Sequence, residues 1–133
     1  MECVEPTELL GRWQLERRVL DRLAGMHGRM TGTLDLVPDG ADVRWLERGT
    51  FSYAGRAFHS TRELLIRRRA DGWFVHFVDG REFHPWRPGA PVVHPCRADV
   101  YRGVVDARPE LLRTLWDVHG PNKDQRLITR CTR

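Results

Sequence analysis

Arg17, Glu47 and Arg62 each stand in a run of alternating apolar residues, on the same side as the large ones. Side chains on a strand alternate faces with period two. Trp13, Leu15, Arg17 and Val19 therefore share a face, as do Val43, Trp45, Glu47, Gly49 and Phe51, and Phe58, Ser60, Arg62, Leu64 and Ile66. If the aromatic residues point inward, so do two guanidinium groups and a carboxylate. Burying an isolated charge costs several kcal/mol, so such a set has to pair or to face a bound partner. Two arrangements meet that demand: a closed Arg-Glu-Arg network, or a glutamate that orders two arginine forks for a carboxylate, phosphate or other anion. A bulge in one strand would shift the phase and remove a member of the set.

Further polar groups come later in the chain. An Asp79-Gly80 turn puts Val75 opposite His84, leaving Arg81 and His84 on opposite faces. Trp73, Val75 and Phe77 form the bulkier apolar face, which favours His84 as the inward residue. Over Val92 to Gly103, His94 and Cys96 alternate with Arg97, Asp99 and Tyr101. Bringing His94, Asp99 and Tyr101 to one cavity needs a break in that alternation, expected as a bulge at Pro95. His84, His94 and Asp99 are thus the candidate acid–base groups. Arg17, Glu47, Arg62, Arg81, His84, His94, Tyr101 and Lys123 are the candidate ligand contacts. No metal is expected, because His84, His94 and Cys96 lack the tight spacing of zinc motifs. No nucleophile elbow, phosphate loop or H-E-x-x-H motif is present.

The elements that must position these groups are short alternating runs separated by turn residues. They run from about Leu9 to Leu20, Gly28 to Leu36, Asp42 to Phe51, Arg56 to Arg68, Trp73 to Val78, Arg81 to Trp86, Val92 to Gly103, Leu112 to His119 and Gln125 to Thr132. Asp21 to Met26 is left as a short helix or lid. Pro109 to Trp116 also tolerates a helix, but Leu112, Thr114, Trp116 and Val118 alternate as a strand would. Nine or ten strands joined by tight turns leave exposed edges in an open sheet, so closure into an antiparallel barrel is expected.

The 133 residues suit one domain, residues 1–133. No apolar stretch is long enough for a membrane helix, and the start of the chain has neither a basic nor an apolar signal region, so a cytoplasmic protein without membrane contact is expected. Cys3, Cys96 and Cys131 have no C-x-x-C spacing and read as reduced thiols. The formal charge of +4 is spread along the chain and carried almost wholly by arginine, Lys123 being the only lysine. Without a concentrated basic patch, a nucleic-acid partner is not expected.

Gly11-Arg12-Trp13 with Arg130 in the last run resembles the calycin superfamily, in which a G-x-W tryptophan packs across the barrel floor near an arginine of the final strand. That likeness implies a lipocalin-like barrel with Trp13 and Arg130 structural. A wider set of motifs looks like a family of small domains of unknown function: Leu10-x-Gly-x-Trp-x-Leu-x-Arg17, Glu47-x-Gly49, Arg62, Val75-x-Phe-x-Asp-Gly-Arg-x-Phe-His84, His94-x-Cys-x-x-Asp99-x-Tyr101 and Gly120-Pro-x-Lys-Asp124 followed by Thr129. The chain departs from that pattern at Gln125 and Cys131. This resemblance nominates Arg81, His84, His94, Asp99, Tyr101, Lys123 and Asp124 as site residues and implies no activity. The wider superfamily suggests carriage of amphipathic ligands, haem binding as in nitrobindin-like proteins, or cyclase and isomerase chemistry. The first expectation is binding of a small anionic or amphipathic molecule. A cofactor-independent cyclase, isomerase or hydrolase using His84 or His94, and a haem carrier, are the alternatives.

Overall fold

In the computed structural model of the chain, which describes residues 3–133, ten antiparallel strands form one sheet. They are β1 (Gly11–Asp21), β2 (Met26–Asp39), β3 (Asp42–Tyr53), β4 (Arg56–Arg69), β5 (Gly72–Phe77), β6 (Glu82–Pro85), β7 (Pro91–Cys96), β8 (Asp99–Arg108), β9 (Leu111–Gly120) and β10 (Lys123–Thr132). The sheet order runs β6-β5-β4-β3-β2-β1-β10-β9-β8-β7, so the first strand pairs with the last and the sheet curls into a nearly closed barrel. The ladder stops between β6 and β7. That seam is the weakest line in the wall, because only side chains cross it.

Three expectations about elements change. Val92 to Gly103 is a hairpin and not one strand: Arg97 and Ala98 form the turn between β7 and β8, with Arg97 at φ +58°. Cys96 then pairs with Asp99 and His94 with Tyr101, so these residues share a face without a bulge at Pro95. Asp21 to Met26 is the β1–β2 turn, neither helix nor lid. Leu9 belongs to a 3₁₀ turn, Pro6–Leu9, that precedes β1.

The 3₁₀ turn closes one end of the barrel. Leu9 and Trp13 are fully buried, Trp13 Nε1 donates to the Leu9 carbonyl at 2.9 Å, and Trp86 Nε1 donates to the Val4 carbonyl at 2.8 Å. Arg133 holds the floor from outside. Its guanidinium lies 4.3 Å from the centroid of the Trp13 ring and donates to the carbonyls of Glu8, Leu10 and Pro109. The arginine expected there was Arg130, but an odd number of residues separates it from Arg133, and alternation turns it to the outer face opposite Glu16.

The core is filled by the inward face of each strand, including Leu15, Leu34, Leu36, Val43, Ile66 and Leu112. A Cβ on Gly103 would lie 2.4 Å from the Trp116 ring, so the glycine is what gives that indole its place against β8. Among the described residues no helix is long and apolar enough to cross a membrane.

Candidate functional site

Alternation along β1, β3 and β4 brings Arg17, Glu47 and Arg62 together inside the barrel. Glu47 is the hub. Its side chain has no solvent exposure, and Oε1 accepts from Arg17 Nη1 at 2.9 Å. Oε2 accepts from Arg17 Nη2 at 2.9 Å, Trp45 Nε1 at 2.8 Å and Arg62 Nη2 at 2.8 Å. Burial alone would push the Glu47 carboxyl up. The charge of Arg62, with the hydrogen bonds and charge of Arg17, outweighs it and holds the group down to about 2.

The two arginines are not equivalent. Arg17 is buried, and its fork is taken: both Nη atoms meet Glu47, and Nε donates to Thr129 Oγ1 at 2.7 Å. Arg62 gives Glu47 a single hydrogen bond, and its buried Nε has no partner. A buried unpaired donor costs about 1–3 kcal/mol, which makes it a place where a partner is missing.

Arg62 lines a small cavity together with Trp45, Leu64, Val75, Phe83, His84, Trp86, Val105, Thr114 and Trp116. Space for water centres amounts to about 20 Å³, room for one or two water molecules. Thr114, whose buried Oγ1 is also without a partner, lines the same cavity. His84 is buried, and Nδ1 lies 2.8 Å from the Pro85 carbonyl. A carbonyl only accepts, so Nδ1 carries the proton and Nε2 is left as the ring's acceptor. Desolvation, then the charges of His94 and Arg62, lower the His84 pKa despite the Pro85 bond, favouring the neutral ring.

A bulge shapes the wall at the seam. Val75 pairs with His84 but His76 pairs with Glu82, leaving Phe83 as the extra residue of β6. Consecutive residues Phe83 and His84 are therefore both buried, which strict alternation forbids. Arg81, outside, pairs with Asp79 at 2.8 Å and lies over the Phe77 ring. His94 and Tyr101 are half-buried at the seam, with ring centroids 5.2 Å and 6.0 Å from Phe83. Desolvation and the charge of Arg81 lower the His94 pKa. Asp99 and Lys123 face one another at 3.8 Å in half-exposed positions, and Asp124 pairs with Arg22 at 2.9 Å and His119 at 3.2 Å.

A family model described as a family of unknown function (DUF6314) matches residues 9–133. The chain belongs to this family. Among curated proteins none matches it. The motif residues named from the sequence fall into separate places: Arg17, Glu47, Arg62 and His84 in the interior, His94 and Tyr101 at the seam, and Arg81, Asp99, Lys123 and Asp124 in outer ion pairs.

Two residues lining the cavity, Thr114 and Phe83, were not named as site residues from the sequence. Thr114 had a legible signal, a hydroxyl in phase with Leu112, Trp116 and Val118. Phe83 had none, since its inward turn depends on the bulge. The cavity beside His84 is far smaller than a porphyrin, and Glu47, Arg17 and Arg62 occupy the neighbouring interior. No group of three or more His, Cys, Asp or Glu among the described residues could hold a metal ion.

Proposed function

We propose that this DUF6314 chain is a calycin-type binding protein for a small molecule with an anionic group, held inside the barrel by Arg62. The observation that carries the reading is the pair of buried, unpartnered polar atoms, Arg62 Nε and Thr114 Oγ1, on one cavity. Charge supports it too. Glu47 is shared by two guanidinium groups, leaving one positive charge in excess within the cluster. A bound water would satisfy hydrogen bonds but leave that charge, whereas an oxyanion on Arg62 answers both. The β6–β7 seam is the route of entry, because opening it breaks no strand ladder. Trp13 across the floor under Arg133, in a nearly closed ten-stranded barrel, supports the calycin kinship.

Native mass spectrometry of the protein as purified, beside its denatured mass, tests the reading. We expect a non-covalent extra mass belonging to a carboxylate or phosphate compound, present in the wild type and lost in Arg62→Met. An extra mass retained by the variant would contradict it. So would a bare chain whose unfolding temperature is unchanged by millimolar carboxylates or phosphate.

A further inference from the structure

Phe83 lies within a cluster of aromatic rings. Its ring is stacked on Phe77 at 4.7 Å and 16° and on Trp116 at 4.9 Å and 25°. His84, at 4.8 Å, and His94, at 5.2 Å, meet it edge-on. The ring is thus enclosed by aromatic groups, yet its backbone belongs to a four-residue strand with a free edge at the seam, and at that point it is the unpaired residue of a bulge. Such a residue is the easiest part of the core to move, since its exit costs no ladder hydrogen bond. Phe83, Trp116, Arg62, Thr114 and His84 all line the small cavity.

We infer that the ligand is a single-ring aromatic carboxylate, and that Phe83 is a built-in plug which the ligand's ring replaces. This deepens the proposed function and rests on it. A flat ring entering between Phe77 and Trp116 recovers the stacking that Phe83 gives up. The carboxylate is directed toward Arg62 through the small cavity, which holds one or two waters as it stands and widens when Phe83 leaves its place in the lining. One oxygen accepts from that nitrogen, and the Thr114 hydroxyl supplies a second donor. A ring hydroxyl on the ligand would find His84 Nε2 as its acceptor. The size of the vacated slot limits the ligand to one ring.

The test is isothermal titration of the full chain with benzoate, cyclohexanecarboxylate and benzyl alcohol, in the wild type, Phe83→Ala, Phe83→Leu and Arg62→Met. Benzoate should bind at least about tenfold more tightly than cyclohexanecarboxylate, which cannot stack, and than benzyl alcohol, which has no charge. Removing the plug should tighten benzoate binding by about fivefold or more, because the open state no longer has to be populated against Phe83. Phe83→Leu removes the stacking ring with less loss of volume, so it keeps the comparison available if Phe83→Ala does not fold. Equal binding of the two carboxylates, each lost in Arg62→Met, would overturn the aromatic slot and leave the anion site standing. Benzoate binding that weakens in the folded Phe83 variant would overturn the plug. No carboxylate bound by the wild type or by either Phe83 variant would overturn the anion site and this inference with it.

Discussion

Glu47→Ala should destabilise the barrel by about 3–5 kcal/mol, as removing one partner of a buried ion pair does elsewhere. The loss strands Arg17, whose two Nη atoms both lean on the carboxylate and whose side chain is almost wholly buried. Urea unfolding should show it as a fall in the midpoint with the slope retained. The pair Arg17→Met with Glu47→Leu should be much less harmful, because it removes both charges and replaces them with apolar volume. A Glu47→Ala chain within about 1 kcal/mol of the wild type would mean that the carboxylate is not the hub described here.

Acid reports the same interaction. The Glu47 carboxyl is held at about 2 in the fold against an ordinary value of 4.5. A depressed carboxyl pKa means that the unfolded chain takes up the proton first. The stabilisation is therefore fully present above pH 4.5 and is lost as the pH falls toward 2. Its size is on the order of 3 kcal/mol. The double variant should lack that part of the acid dependence, which separates Glu47 from the surface carboxylates.

Arg62→Met should do the opposite: abolish anion binding while leaving the barrel folded. Arg62 is about a third exposed and gives Glu47 one hydrogen bond, so the Arg17 fork and the Trp45 indole still satisfy the carboxylate when it is gone. The substitution removes the unpaired Nε but also the largest charge contribution that holds Glu47 ionised, so the stability change should be about 1–2 kcal/mol, well below that of Glu47→Ala. Binding should fall by about 30-fold or more, the worth of a charge-assisted hydrogen bond in a partly dry site. The check is the rise in unfolding temperature produced by millimolar acetate, benzoate and phosphate in the two proteins. A folded Arg62→Met chain that keeps the full rise would place the anion elsewhere. A loss of several kcal/mol would make the three charges a structural network.

The barrel and its charged interior were legible in the sequence for one reason: period-two alternation holds around Arg17, Glu47 and Arg62, although Phe58, expected inside with Arg62, is exposed in the first half of β4. Trp13 with Arg17, Trp45 with Glu47, and Leu64 with Arg62 are each separated by an even number of residues, and all six turn inward as that spacing requires. What alternation could not give was the division of labour between the two arginines. That depends on which strand carries Thr129 and Met30 beside Arg17, a matter of β1 pairing with both β10 and β2.

The seam was harder to read because its local geometry breaks the period. The bulge at Phe83 and the two-residue turn at Arg97-Ala98 each reset the phase. The two-residue Asp79-Gly80 turn was not found: Arg81 bonds back to Phe77 and not Val78, so the turn holds three residues, and His84 still meets Val75 because the bulge at Phe83 takes up the one-residue shift. The turn at Arg97 was missed because its left-handed residue is an arginine, where glycine or asparagine would have signalled it. Arg130 was carried over from the calycin likeness alone, and Arg133, three positions further on, is the arginine that lies over Trp13.

The most direct test of the anion site watches Arg62 Nε itself. In nitrogen-15 spectra of the arginine Nε–H groups, the Arg62 signal is assigned by its absence in Arg62→Met, and the protein is titrated with acetate and benzoate. The Arg62 Nε–H should shift downfield on saturation and exchange more slowly with water, while Arg17 Nε–H, already bonded to Thr129, should stay in place. An Arg62 signal that does not move at anion concentrations that shift other resonances would contradict the account.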